Sequence, residues 1–154
     1  MARPTDSLKT YASWNYSPHY VMFSGWVGDQ DSSAEGLKKA MYNVVKSAWN
    51  GYLNFGFDIG GYRGQNISKN IFLRWVQVGA LVPFMENGGN GKHQPWLFDE
   101  ETVNIYRYYV DLHYKLKPTF LTCAAERYLK KQSVITPLAK KIPQVTLKVP
   151  ENYV

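Results

Sequence analysis

The segment 48–64, AWNGYLNFGFDIGGYRG, contains the end of one predicted helix, a strand and the turn after it. Gly51 stands where a helix terminates, because glycine readily adopts the left-handed conformation that closes helices. The stretch 54–59, NFGFDI, is short and apolar, and it ends at Asp58 followed by two glycines. This pattern is typical of a buried strand that runs into a loop. The segment therefore predicts a helix followed by a strand that carries an acid at its carboxyl end.

The same alternation extends in both directions from this segment. Upstream, 20–27 predicts a strand, and a helix follows it with a capping box of Ser32 and Glu35 and apolar residues at steps of three and four. Downstream, Ser68 caps a second helix, and 80–85 predicts a third strand. Alternating strands and helices are typical of βαβ units. We therefore predict an α/β fold with a parallel sheet.

The rest of the chain is helical and then irregular. A long helical pattern covers 102–131 and contains Pro118, which predicts a bend or a division there. Beyond Gln132 the periodicity ends. The apolar stretches 134–135 and 145–149 are candidate strands with no evident partner in the sequence.

Composition and charge exclude several classes of protein. With 154 residues, 45% hydrophobic and 16% aromatic, the chain has the composition of one folded domain and not of a disordered segment. Residues 115–154 hold eight Lys and Arg against two acids and so carry the whole net charge of +6. A uniformly basic nucleic-acid surface is therefore not expected, although the lysine pairs of this segment leave that class as a minor alternative. No apolar run reaches the roughly 18 residues of a membrane helix, so no membrane association is predicted.

The sequence predicts neither a metal centre nor a bound cofactor. Cys123 is the single cysteine, and it lies in an apolar helical stretch where a free cysteine is usually a buried hydrophobe. His19, His93 and His113 are too far apart in the sequence to form a local pair of ligands. The glycine-rich stretch around Gly91 lacks the spacing and the Ser or Thr of a P-loop.

Each predicted strand delivers an acid at its carboxyl end, namely Asp29, Asp58 and Glu86. In parallel α/β sheets and barrels the loops after the strands form the active face. A single Asp at such a point is usually a turn former, but here the pattern repeats over three strands. Paired carboxylates near aromatic rings suit glycosidic chemistry, because one donates a proton to the leaving oxygen and the other stabilises or attacks the anomeric carbon.

Five blocks of the chain resemble consecutive blocks of glycoside hydrolase family 31, the α-glucosidase family. In family order they are 2–7 (ARPTDS), 25–33 (GWVGDQDSS), 48–64, 72–89 (FLRWVQVGALVPFMENGG) and 93–96 (HQPW). The resemblance implies that 1–131 is the C-terminal part of a (β/α)8 TIM barrel, about strands six to eight with their helices. It implies that 132–154 is a short extended exit segment toward a C-terminal β domain that is mostly absent.

The resemblance also implies a function in carbohydrate metabolism, namely the retaining hydrolysis of α-O-glycosidic bonds. On the matching positions, Asp29 is the general acid/base, and Arg3 and Asp58 hold hydroxyl groups of an α-linked glucoside or related sugar. Trp26 and Trp75 are the walls of the pocket in this interpretation. The other interpretation of both tryptophans, as side chains of the core, stays open at this stage.

Two departures from the family pattern affect the prediction. Glu86 and the residues after it replace the family's Arg-x-His, and His93 is the candidate replacement for that sugar-binding histidine. The block that carries the family nucleophile is not found among the twelve acids of the sequence. We therefore expect the chain alone to be inactive and its partner to be the missing N-terminal half of the barrel. A non-catalytic carbohydrate-binding or complementation fragment is the alternative.

Overall fold

The computed structural model describes residues 24–141. Three parallel strands, β1 (Gly25–Trp26), β2 (Phe55–Asp58) and β3 (Phe84–Glu86), form one sheet in the order β1-β2-β3. Helix α1 (Ala34–Trp49) connects β1 to β2, and helix α2 (Lys69–Gly79) connects β2 to β3. A 3-10 turn (Pro95–Leu97), the long helix α3 (Glu100–Tyr128) and the short α4 (Leu138–Lys141) follow. The predicted α/β class and parallel sheet are confirmed.

The register of the sheet separates two faces. Asp58 pairs with Glu86, and Trp26 pairs with Gly56, so these four residues share one face because side chains alternate along a strand. The other face packs against the helices, as shown by Phe57, whose ring meets Trp75 of α2 edge-on at a centroid distance of 5.4 Å.

The core lies between the sheet and the helices. Phe57, Phe72 and Trp75 are all 0% exposed. The Phe72 ring stacks on Phe98 at 5.1 Å and on Tyr106 at 6.0 Å, which attaches α3 to α2. Burial of each such ring contributes about 1.5–3 kcal/mol. None of the helices within residues 24–141 combines the length and apolarity needed to cross a bilayer.

The start of α1 differs from the prediction by one residue. Ser33, not Ser32, is the N-cap, and its Oγ accepts a hydrogen bond from the Gly36 N–H at 3.0 Å. The Ser32 backbone N–H donates instead to the carbonyl oxygen of Arg63, at 2.8 Å. Two consecutive serines satisfy the capping pattern equally well, and only the contact with a distant loop decides between them.

Other boundaries also shift. β3 begins at Phe84 because the residues before it close α2, with the Ala80 N–H donating to the Val76 carbonyl at 3.0 Å. α3 begins at Glu100 and continues through Pro118 without division. Residues 134–135 form no strand, but the Val134 N–H donates to the carbonyl of Leu53 at 2.8 Å. The predicted strand residues 20–23 and 145–149 lie outside the described residues.

Candidate functional site

The loops after the three strands form one layer at the carboxyl end of the sheet. Both Tyr62 N–H and Arg63 N–H donate to the carbonyl of Gln30 at 2.9 Å, which joins the loop after β2 to the loop after β1. The Asn90 N–H donates to the carbonyl of Tyr62 at 3.1 Å and adds the loop after β3. The strand-end loops therefore lie together, as the sequence predicted for a parallel sheet.

Asp29 lies in this layer with its backbone held and its carboxylate open. The residue is half-buried, and within residues 24–141 its carboxylate makes no hydrogen bond or ion pair. Its carbonyl oxygen accepts a hydrogen bond from Nη2 of Arg63 at 2.6 Å. The Arg63 Nε lies 3.6 Å from the Asp31 carboxylate, which orients the guanidinium. A fixed backbone with an open carboxylate suits a group that exchanges a proton with a ligand.

Asp58 and Trp26 form a buried polar pair across β1 and β2. Asp58 is 0% exposed and Trp26 is 6% exposed. The indole Nε1–H of Trp26 donates to Oδ2 of Asp58 at 2.8 Å. A hydrogen bond to a charged acceptor is shorter and stronger than a neutral one, and burial strengthens it further. The pair therefore fixes the carboxylate of Asp58 on the same face as Glu86 of the adjacent strand.

Trp75 and His93 are both buried, on different sides of the sheet end. Trp75 is 0% exposed and lies on the helix side of the sheet against Phe57, opposite to the face of Asp58. His93 is 2% exposed, with Nε2 3.0 Å from the Ser32 hydroxyl oxygen and Nδ1 3.2 Å from the Gly88 carbonyl oxygen. Of the predicted site residues, the structure brings together Asp58 and Trp26, with Asp29 and His93 in the adjoining loop layer. Arg3 lies outside the described residues.

Two residues of the layer received no role from sequence reasoning. Arg63 holds the backbone of Asp29, and its position after the Asp58 strand was the available signal. Gln30 is 4% exposed and donates from Nε2 to the Val27 carbonyl at 2.9 Å. Its Oε1 is buried without a hydrogen-bond partner within the described residues. Nothing in the sequence distinguishes this buried glutamine from a solvated one.

An open surface groove of about 760 Å³ lies between α2 and α3, away from the strand ends. Gln77, Glu101 and Tyr108 are among its lining residues. Nearby, Tyr106 has a raised pKa because burial disfavours its charged form. No group of three potential metal ligands occurs within residues 24–141. The groove therefore has no evident chemical role, and the loop layer is the candidate site.

The chain is similar to known proteins over most of its length. Residues 15–123 match the glycosyl hydrolases family 31 TIM-barrel domain. The chain is 32% identical over 124 residues to a probable glucan 1,3-alpha-glucosidase of Arabidopsis thaliana, covering 77% of this chain and 13% of that protein. It is 31% identical over 121 residues to alpha-glucosidase 2 of Bacillus thermoamyloliquefaciens, with 77% and 15% covered.

A solved relative has the same fold over most of the chain. The glucosidase II alpha subunit, in its alpha3-Glc2-bound form, superposes with a TM-score of 0.72 at 27% identity, covering 78% of this chain and 13% of that one. The chain thus spans between about an eighth and a seventh of the length of these relatives. The family model covers more than half of the chain, and we conclude that the chain belongs to glycosyl hydrolase family 31.

Proposed function

We propose that this chain supplies the acid/base part of a retaining α-glycosidase site, with Asp29 as the general acid/base. The observation that carries the proposal is the half-buried carboxylate of Asp29, unpartnered within residues 24–141, in a loop whose backbone Arg63 holds. In this proposal, 1–131 is about strands six to eight of a (β/α)8 barrel. Residues 132–154 are the exit segment toward a C-terminal β domain.

The proposed reaction has two steps in which Asp29 exchanges one proton. In the first, the Asp29 carboxyl donates its proton to the glycosidic oxygen while a nucleophilic carboxylate forms a bond to the anomeric carbon and the C–O bond breaks. In the second, the Asp29 carboxylate takes a proton from water, whose oxygen attacks the anomeric carbon and releases the nucleophile. The nucleophile belongs to a part of the barrel outside this sequence.

Asp58 and Trp26 are the proposed floor of the sugar subsite, and the family resemblance assigns to Arg3 the binding of hydroxyl groups of the same sugar. The Trp26 N–H holds Oδ2 of Asp58, so the carboxylate keeps one orientation toward the hydroxyl groups of an α-linked glucoside. A buried charged acceptor selects for a sugar that donates to it, because a sugar without that hydroxyl leaves the charge poorly solvated. The direct sugar contacts of Trp75 and His93 remain predictions.

The test uses the whole chain together with the upstream barrel segment of the related Bacillus alpha-glucosidase 2. We expect no turnover of an aryl α-glucoside by the chain alone and turnover by the mixture. Asp29→Ala should lower kcat/KM, which reports the first step alone, about 10²- to 10⁴-fold on a disaccharide, which needs protonation of its leaving oxygen. The loss should be smaller on a dinitrophenyl glucoside, whose leaving group departs without a proton.

Two results would contradict this assignment. One is turnover by the Asp29→Ala mixture equal to that of the unchanged mixture on both substrates. The other is an equal loss on both substrates, which would assign to Asp29 a role in folding or binding. Glu35→Ala is a matched control, because Glu35 is an exposed acid in the first turn of α1.

A second candidate function is carbohydrate binding without catalysis. The coverage of 13% of a relative's length and the missing nucleophile block favour it. Titration of the chain with an α-glucosidase inhibitor, followed by tryptophan fluorescence, separates the two. Saturable binding of the inhibitor without turnover in any mixture favours the binding function. If Asp58→Asn leaves that binding unchanged, the sugar lies away from the proposed floor.

A further inference from the structure

His93 is buried at the point where the loops after all three strands meet. Its Nε2 lies 3.0 Å from the Ser32 hydroxyl, in the loop after β1, and its Nδ1 lies 3.2 Å from the Gly88 carbonyl, in the loop after β3. The ring also lies against Gly60 of the loop after β2, where an added Cβ would be 2.9 Å from Cδ2. One imidazole thus contacts three loops that are far apart in the sequence.

Glycines make the space that the ring occupies. Gly60 and Gly89 have φ values of 90° and 108°, which side chains rarely adopt. A Cβ at Gly89 would lie 2.6 Å from Nδ1 of His93, and one at Gly91 would lie 3.1 Å from Nε2. The loops therefore close around the histidine so tightly that a larger residue at these positions would displace it.

The hydrogen-bond partners assign the tautomer of His93. A carbonyl oxygen only accepts, so Nδ1 must carry a proton toward Gly88. In the neutral ring Nε2 is then an acceptor, and the Ser32 hydroxyl donates to it. The carbonyl oxygen of Arg63 is also within reach of this hydroxyl. It accepts a hydrogen bond from the Ser32 N–H, at 2.8 Å, and so does not depend on the hydroxyl. Both ring nitrogens are therefore engaged by the protein itself.

Three successive hydrogen bonds lead from His93 to the backbone of the proposed catalytic group, Asp29. Ser32 bonds to the backbone of Arg63, and the Arg63 guanidinium bonds to the carbonyl of Asp29 at 2.6 Å. On its other side the ring rests on Gly60, two residues after Asp58. The histidine is thus placed to set the position of the Asp29 loop relative to the end of β2.

We propose that His93 is a positioning residue, which braces the loop of Asp29 against the loops after β2 and β3 through Ser32 and Gly88. The catalytic consequence rests on the proposed function, but the bracing does not. This role differs from contact with the sugar, since both ring nitrogens are engaged by Ser32 and Gly88.

The first test is spectroscopic and needs no activity. Nitrogen NMR of the full chain should show His93 with its proton on Nδ1, whereas an exposed imidazole favours Nε2. Ser32→Ala should speed hydrogen exchange of the Arg63 and Asn90 amides by about tenfold or more, the effect of losing one hydrogen bond. The Phe57 amide in the core should be unchanged. Ser32→Thr, which keeps the hydroxyl, should restore the protection.

The second test uses turnover by the mixture with the upstream barrel segment. His93→Asn keeps a donor toward Gly88 and loses the contact with Ser32. The variant should lower kcat about tenfold or more with little change in KM, because misplacement of a reacting group acts on the chemical step. Failure of the unchanged mixture to turn over would count against the proposed function alone, and the exchange data would still decide on the brace.

Two outcomes would overturn the positioning role. The first is a proton on Nε2 together with loop protection that Ser32→Ala leaves intact. The second is a large rise in KM or inhibitor Kd in His93→Asn with unchanged loop protection, which would make His93 a sugar contact after all. Circular dichroism of each variant identifies any that fails to fold, and Ser32→Ala, the smallest change, then carries the test.

Discussion

The hydrogen bond between Trp26 and Asp58 can be tested by replacing Trp26 with Phe. This change keeps an aromatic ring in the same place and removes the Nε1–H that donates to Oδ2 at 2.8 Å. Both residues are buried, at 6% and 0% exposure, so water replaces the lost donor poorly. A hydrogen bond to a charged group contributes about 1.5–3 kcal/mol to the free energy of unfolding.

Trp75→Phe is the matched control for the same loss of ring volume. Trp75 is 0% exposed, and its Nε1 has no hydrogen-bond partner within residues 24–141. Removing that N–H relieves a buried unsatisfied donor instead of breaking a bond. We therefore expect Trp26→Phe to be more destabilising than Trp75→Phe by at least about 1.5 kcal/mol.

Urea unfolding of the whole chain, followed by circular dichroism, measures this difference. With a slope near 2 kcal/mol per molar urea, a loss of 2 kcal/mol lowers the midpoint by about 1 M. In an Asp58→Asn background the acceptor is neutral, so Trp26→Phe should cost about half as much. Equal urea midpoints for Trp26→Phe and Trp75→Phe would refute the reasoning. So would a loss of stability in Trp26→Phe that is the same with and without Asp58→Asn.

Three further predictions concern the fold. Gly56→Ala places a Cβ 2.1 Å from the Phe84 carbonyl oxygen, so we expect about 1–3 kcal/mol of destabilisation in urea, and an unchanged midpoint would contradict the observed register. Phe57→Ala should cost about 3–5 kcal/mol, because it empties a fully buried site; a loss below 1 kcal/mol by the same assay would argue against this core. Asp99 has its pKa lowered from 3.8 to about 2, first by its hydrogen bond from Lys69, so it stabilises the fold above about pH 4 and this contribution disappears as the pH falls toward 2. Acid unfolding should therefore show a difference in the free energy of unfolding between the native chain and Asp99→Asn that disappears over that range. A difference that grows as the pH falls would contradict this prediction.

The parts of the fold that sequence could predict are those set by local periodicity. The strand at Phe55–Asp58 was predicted within one residue at each end, because an apolar run bounded by glycines and an acid has one simple interpretation. The boundary at Phe84 was missed, since the apolar residues before it could extend a strand or close a helix equally well. Helix α3 continues through Pro118 without division, which no propensity argument anticipates.

The sequence could predict those site residues whose position follows from the secondary structure next to them in the chain. The acids after the strands were found because they follow recognisable strands. The bracing contact of Ser32 with His93 spans 61 positions, so no local pattern reveals it. Trp75 lies on a helical apolar face, and its placement in the core depends on which side of the sheet the helix covers.

The shortness of β3 has a consequence for how the chain meets other chains. β3 has three residues and lies at one edge of the sheet within residues 24–141, so this edge offers few backbone donors and acceptors to a passing strand. Mispairing with a second copy at this edge gains little from so few bonds, which lowers the tendency to form fibrils. A strand that binds there must instead be selected by the fit of its side chains, so selectivity for the correct neighbour comes from shape.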